Sequence, residues 1–256
     1  MQTIKIVSIL GLVAILSACV TTTDSRFTKK ASPEKAVDNY VMLGISYLRQ
    51  GDYSMARKKI ERALMIDPNS ATAHNAMALY WQDRGEGELA NKEYLIALDL
   101  DGDYSPANYH YGRFLMVLGQ TQACDYLRKA SRDIHYTGRK AAFEDLGLCL
   151  FSQRDFKPAI AAYEKAWQME GSSLIAAMNL TAIYVEQKRF DLAQRWFSRL
   201  ESGIQKSQQE HSAMSLWLGI EIARASKDRN AEANYAFKLK KSFPESDEYQ
   251  RYKSLR

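Results

Sequence analysis

The amino-acid sequence predicts an all-α protein in which six helix-turn-helix repeats stack into a right-handed superhelix. The main observation is a self-similarity with a period near 34 residues, which is typical of helical-hairpin repeats. One small-residue position recurs at steps of 34, 34, 35, 34 and 38 residues, at Gly44, Ala78, Gly112, Gly147, Thr181 and Gly219. The repeats are predicted over residues 37–70, 71–104, 105–139, 140–173, 174–211 and 212–245, before a C-terminal cap.

The first repeat carries the side chains that a pair of antiparallel helices requires. Small residues such as Gly44 and Ala56 are expected where the two helices approach each other, and large ones such as Ile60 fill the space beside them. Pro68 ends the second helix because it has no N–H group. The whole set matches the tetratricopeptide repeat (TPR) pattern, at Tyr40, Leu43, Gly44, Tyr47, Ala56, Ile60, Ala63 and Pro68.

Two repeats depart from this spacing. In the third repeat only four residues separate Gly119 from Ala123, against five between Gly51 and Ala56, which predicts a second helix that starts early. Between the fifth and sixth repeats the segment ESGIQKSQQEHSA adds about four residues, which predicts a longer polar connection.

The first nineteen residues resemble a bacterial lipoprotein signal. Lys5 precedes an apolar run over residues 6–16, which is too short to span a bilayer, and Ser17-Ala18-Cys19 matches a lipobox. The resemblance implies a signal peptide over residues 1–18 and lipidation of Cys19, followed by a flexible tether over residues 19–33 and a TPR domain over residues 34–256. Val20, rather than an aspartate, favours the outer membrane. The alternative is a secreted protein with an unmodified cysteine.

Composition and motifs argue against several classes of function. The net charge of +5 is spread along the chain without a basic tail, so nucleic-acid binding is not expected. Asp99, Asp101 and Asp103 lie at a predicted turn and lack the glycine and glutamate of a calcium-binding loop, so no metal or cofactor is expected. No catalytic motif surrounds any of the scattered histidines, which are His74, His110, His135 and His211, so an enzyme is not expected.

Two cysteines remain after Cys19. Cys124 is predicted at the start of the second helix of the third repeat, and Cys149 on the first helix of the fourth repeat. Because these two helices should touch in a TPR stack, a disulfide is possible in an oxidising periplasm. The alternative is a pair of small, buried, reduced side chains.

The concave surface of the superhelix is the candidate binding site. In TPR proteins this surface comes mainly from the first helix of each repeat, at positions that helix pairing leaves free. In the first three repeats these positions form a mainly apolar lining, at Val41, Ile45, Leu48, Asn75, Leu79, Gln82, Tyr109, Arg113 and Met116. Such a groove could hold a partner helix or an extended peptide, although each residue alone could serve packing between repeats.

The combination of a lipobox, a short tether and six TPRs resembles the type IV pilus pilotin family (PilF/PilW). The resemblance covers nearly the whole chain and includes the segments YVMLGISYLRQGDYSMARKKIERALMIDPNSATAHNAMALYWQ, FEDLGLCLF and LWLGIEIARASKDRNAEANYAFKLKKSFPES. It implies a monomeric, periplasm-facing outer-membrane lipoprotein of a Gram-negative bacterium, which binds the pilus secretin and promotes its localisation and multimerisation, and thereby twitching motility. The alternative is a general periplasmic TPR scaffold for envelope-complex assembly or peptidoglycan synthesis.

Overall fold

The computed structural model describes residues 32–169 and 173–255. These residues form thirteen α-helices and no β-strand, so the described part of the chain is all-α, as predicted. The helices are α1 (Pro33–Arg49), α2 (Tyr53–Ile66), α3 (Ala71–Asp83), α4 (Gly87–Leu100), α5 (Ser105–Val117), α6 (Ala123–Arg132), α7 (Arg139–Ser152), α8 (Phe156–Gln168), α9 (Leu174–Glu186), α10 (Phe190–Lys206), α11 (Ala213–Ala225), α12 (Arg229–Ser242) and α13 (Asp247–Ser254). The expected signal peptide, Cys19 and the tether up to residue 31 lie outside the described residues.

Helices α1 to α12 form six consecutive pairs, each joined by a tight turn. The turn inside each pair contains one residue in the left-handed backbone region. This residue is a glycine in the first three pairs, for example Gly51 with φ +75°. In the last three pairs this residue is Arg154, Lys188 or Lys227. These residues adopt the left-handed conformation at a steric cost that glycine does not have. Within the described residues the stack is therefore a TPR superhelix, as predicted.

Small residues stand where the paired helices approach each other, as the sequence predicts. A Cβ atom on Gly147 would lie 2.7–2.8 Å from ring atoms of Tyr163, whose side chain is fully buried. A Cβ atom on Gly112 would lie 2.8 Å from Cγ of Leu127 and 3.1 Å from the backbone oxygen of Ala123. These distances are below van der Waals contact, so a larger residue at either glycine would push the two helices apart.

The third pair differs from the prediction of an early second helix. Ala123, which faces Gly112, is the first residue of α6, whereas the equivalent Ala56 is the fourth residue of α2. The shorter spacing therefore removes residues from the first turn of the helix, because Gln120 to Gln122 are used to complete the turn before it. Helix α6 has only 10 residues, against 14 in α2.

A disulfide bond joins this short helix to the next repeat. Cys124 on α6 and Cys149 on α7 are bonded, and their Cα atoms are 5.6 Å apart. Both side chains are buried, and the amide nitrogen of Gln153 lies 3.1 Å from Sγ of Cys124. The cross-link therefore holds α6 against α7 in the repeat whose own helix pair is the shortest of those described.

The fifth pair departs from its prediction in part. The polar connection after it, residues 207–212, has six residues against four after α2, but most of the extra residues extend α10, which runs for 17 residues to Lys206. Ile204 in this extension is buried, and a Cβ atom on Gly203 would overlap the side chain of Leu174 on α9. Burial of Ile204 against the repeat favours continued helix over a loop.

The last helix, α13, packs against α11 and α12. Its Tyr252 is buried with Leu216 and Ile220 of α11 and Leu239 of α12. This contact covers the apolar side of the sixth pair, which has no following repeat among the described residues.

Asn75 and His110 connect the first helices of the second and third repeats. Nδ1 of His110 lies 3.1 Å from Oδ1 of Asn75, which can only accept, so the ring carries its proton on Nδ1. Burial, with a smaller contribution from the Arg113 charge, lowers the pKa of His110 to about 4. The imidazole is therefore neutral at physiological pH.

We predict that removing the disulfide destabilises the stack. The Cys124→Ala/Cys149→Ala variant should lose about 2–4 kcal/mol in free energy of unfolding, because the bond closes a loop with a sequence separation of 25 residues in the unfolded chain. Urea unfolding with and without reductant measures the effect. Reductant should destabilise the wild type and leave the double variant unchanged; a wild type that does not respond to reductant contradicts the bond.

We also predict an acid-dependent loss of stability that depends on His110. Because its folded pKa of about 4 is below the ordinary value, the unfolded chain binds a proton first as pH falls. The stability contributed by the neutral ring is therefore intact above about pH 6.5 and lost towards pH 4, by about 3 kcal/mol at most.

The measurement is urea unfolding across this pH range for the wild type, for His110→Gln and for a control, His135→Gln, at an exposed position. Glutamine keeps an N–H donor for Asn75 but does not titrate, so His110→Gln should lose less stability on acidification than the other two proteins. Equal pH profiles for all three would show that His110 does not titrate as described.

Candidate functional site

The candidate site is the face formed by the first helices of successive repeats. Each of α1, α3, α5 and α7 contacts the next first helix in this series. The residue directly after the small position therefore recurs on the same side of each helix, at Ile45, Leu79, Arg113 and Leu148. We call the accessible residues of this face the groove.

Six of the nine predicted groove residues are accessible to a partner. Gln82 and Arg113 are exposed, and four side chains are half-buried, at Ile45, Leu79, Tyr109 and Met116. The half-buried side chains also contact the apolar cores of the stack. Packing against the core therefore fixes these side chains, and their exposed parts offer apolar surface to a partner.

Three predicted groove residues are not available to a partner, which corrects the sequence prediction. Val41 and Leu48 are buried in the core of the first two repeats. Asn75 is also buried, and its side chain is used by the hydrogen bond with His110. The reason is that the first helix of the following repeat covers the positions on that side of each first helix.

The groove extends further than the first three repeats. Leu148 in α7, the first helix of the fourth repeat, is 43% exposed. Within the third repeat, Val117 at the end of α5 is 83% exposed, although the prediction did not include it. The repeat register could have identified Leu148, because it follows Gly147 as Ile45 follows Gly44. The accessible side chains at this register position end before the fifth repeat, because the equivalent Ala182 is buried, as is Ile220 in the sixth repeat.

The charged side chain of Arg113 lies in the middle of the groove, among its apolar residues. Nε of Arg113 lies 3.3 Å from Oδ2 of Asp145 on α7, and its guanidinium lies over the ring of Tyr109, 5.7 Å from the ring centre. Burial raises the pKa of Asp145 above its ordinary value, and Tyr109 and Arg113 oppose this increase. Burial also raises the pKa of Tyr109 to about 12, so its hydroxyl stays protonated.

Arg113 and Gln82 keep hydrogen-bond donors for a partner. The Arg113 side chain is 56% exposed, so part of its guanidinium faces solvent beside the pair with Asp145. Oε1 of Gln82 accepts a hydrogen bond of 2.8 Å from the Tyr94 hydroxyl, which leaves its amide NH2 group to donate elsewhere. The groove thus combines apolar side chains with a few donors, which suits a peptide with apolar side chains and accessible carbonyl or carboxylate oxygens.

The described residues have two further features, which concern metal ligands and membrane spans. They contain no group of three or more His, Cys, Asp or Glu side chains placed to hold a metal ion. Among them there is also no helix with the length and apolar character needed to cross a membrane.

Comparison with known sequences places the chain among pilus proteins. The tetratricopeptide repeat family matches residues 37–70. The type IV pilus assembly protein PilF of Pseudomonas aeruginosa is 30% identical over 255 residues, which are 99% of each chain. An uncharacterized protein of Haemophilus influenzae is 30% identical over 158 residues, which cover 61% of this chain and 86% of that protein.

Two solved structures of pilus proteins have the same helical stack as this chain. The structure of Pseudomonas aeruginosa PilF superposes with a TM-score of 0.78 at 30% identity, over 88% of this chain and all of that one. The structure of PilW, a type IV pilus biogenesis factor, superposes with a TM-score of 0.70 at 26% identity, over 84% of this chain and 97% of that one. With full-length sequence similarity and a shared helical stack, this protein belongs to the type IV pilus biogenesis family of TPR proteins that includes PilF and PilW.

Proposed function

We propose that this protein is a pilotin, that is, a periplasm-facing lipoprotein of the outer membrane that binds the type IV pilus secretin and promotes its localisation and multimerisation. The similarity to the pilus assembly protein PilF over nearly the entire chain carries the proposal. The partly exposed apolar groove supports it, because such a surface suits binding a protein segment.

Lipidation of Cys19 would anchor the protein. Each buried methylene of an acyl chain contributes about 0.8 kcal/mol to membrane binding, so several chains hold a protein stably. A client bound to the anchored protein is confined near the bilayer, which raises its effective concentration at the site of assembly. Promotion of multimerisation then requires binding and confinement, with no covalent step.

The groove would hold the client through apolar contacts and a few hydrogen bonds. Ile45, Leu79 and Leu148 occupy the same register on successive first helices, so their spacing follows the repeat rather than any one helix. An amphipathic helix or extended segment lying across them would bury its apolar side chains there. Arg113 would donate to carbonyl or carboxylate oxygens of the client from the middle of the strip.

We predict that Leu148→Asp weakens capture of the secretin by about tenfold or more, because it removes apolar contact area and places a charge in the interface. Leu95→Asp on α4 is the matched control, since Leu95 is 45% exposed and Leu148 is 43% exposed, but Leu95 is on a second helix. Binding is measured by pull-down of the secretin with the purified variants. Equal loss in both variants, or no loss in either, would reject the groove as the binding site.

We predict that Cys19→Ser releases the protein from the membrane fraction and reduces secretin multimers in cells. The assay compares gene deletion with complementation by the wild type and by Cys19→Ser, and it measures twitching motility and secretin multimers. Deletion should abolish both. Altered cell shape with normal pili would instead support a general envelope scaffold.

A further inference from the structure

Within residues 32–169 and 173–255, the first end of the helix stack is uncovered. Each later first helix packs against the second helix of the preceding repeat, whereas no described repeat precedes α1. Leu43 on α1 is therefore 44% exposed. Its equivalents in the other five repeats are 0–6% exposed, at Met77, Tyr111, Leu146, Leu180 and Leu218. Leu43 is thus an apolar residue of the kind that packs between repeats, but no described repeat covers it.

Basic side chains line a cleft one helical turn from this uncovered position. Tyr40, one turn before Leu43, lines this open cleft of about 320 Å³ with Lys58, Lys59, Glu61, Arg62 and Met65 of α2. Met65 is 71% exposed. We call these six residues the end patch: Tyr40, Leu43, Lys58, Lys59, Arg62 and Met65.

The cleft keeps a net positive charge. Its one carboxylate, Glu61, pairs with Arg57 at 2.7 Å rather than with the three cations of the end patch. Nζ of Lys59 lies 6.0 Å from the centre of the Tyr40 ring. Neither Lys58 nor Arg62 forms a salt bridge with any residue that the structure describes. The patch therefore combines exposed apolar groups with three cations, which matches the chemistry of an anionic lipid surface.

The end patch also belongs to the repeat nearest in sequence to the expected lipid. Twelve residues separate Cys19 from Ser32, the first described residue, and this length of chain can span at most about 45 Å. The same stretch contains Arg26, Lys29 and Lys30 against one acidic residue, Asp24. A lipid at Cys19 would thus keep the first repeat close to the bilayer, where basic residues attract anionic headgroups.

We propose that the end patch binds the anionic phospholipid surface of the membrane in which the protein is anchored. This inference rests on the proposed lipid anchor and adds a second contact, made by the folded domain. Lys58, Lys59 and Arg62 pair with lipid phosphates, while Tyr40, Leu43 and Met65 insert between headgroups. The helix stack then stands on its first repeat, and the groove, which lies on a different side of α1, stays open to the periplasm.

Vesicle binding by the non-acylated mature chain, residues 20–256, tests the end patch apart from lipidation and from client capture. The probes are vesicles of phosphatidylethanolamine with phosphatidylglycerol, and neutral vesicles of phosphatidylcholine, with binding measured by co-sedimentation. The chain should bind only the anionic vesicles, and added salt should release it. Lys58→Glu/Lys59→Glu/Arg62→Glu should reduce the partition coefficient by about tenfold or more.

A matched control carries the same charge change at the other end of the stack. Lys238→Glu/Lys240→Glu/Lys241→Glu on α12 alters three exposed residues and should keep most of the binding. Leu43→Ser/Met65→Ser, checked for folding by circular dichroism, should weaken binding without changing the net charge. Three results would overturn the inference: no binding by the unsubstituted chain, equal loss in the α12 control, or end-patch variants that dissociate a dimer in sedimentation velocity, since a second copy would then cover the patch.

Discussion

The close approach of paired helices at small residues is the constraint on which the rest of the structure depends. Gly44 meets Ile60, Gly112 meets Leu127, and Gly147 meets Tyr163, each at a distance that leaves no room for a Cβ atom. Because the pairs are held this tightly, every first helix keeps the same register relative to its neighbours. That register determines which side chains are covered by the next repeat and which remain in the groove.

The irregular third and fifth repeats show how the stack absorbs changes in length. The third repeat loses part of a helical turn, and a disulfide to the fourth repeat supplies a covalent contact beside the shortened helix. The fifth repeat gains residues, and most of these extend α10, because the extended helix buries Ile204. In both repeats the contact between the paired helices is kept, and the change falls at an end of the second helix and, in the fifth repeat, also in the connection after it.

The groove and the end patch place different chemistry on different sides of the first repeats. The groove has few charges and an apolar strip that is partly held by the core, which suits a protein segment. The end patch has three cations around exposed apolar groups, which suits a charged lipid surface. Family membership connects the protein to type IV pilus assembly. The proposed pilotin role requires both a membrane contact and a client contact.

The sequence alone determined the all-α class and the repeat positions, because the 34-residue period records the spacing of contacts that every helix pair must make. It also identified the first helices as the candidate groove. Only the tertiary structure decided that Val41, Leu48 and Asn75 are covered, because burial at those positions depends on the neighbouring repeat. For the same reason it alone revealed that Leu43, an ordinary packing residue by pattern, is exposed, because no repeat among the described residues lies against the outer side of the first helix.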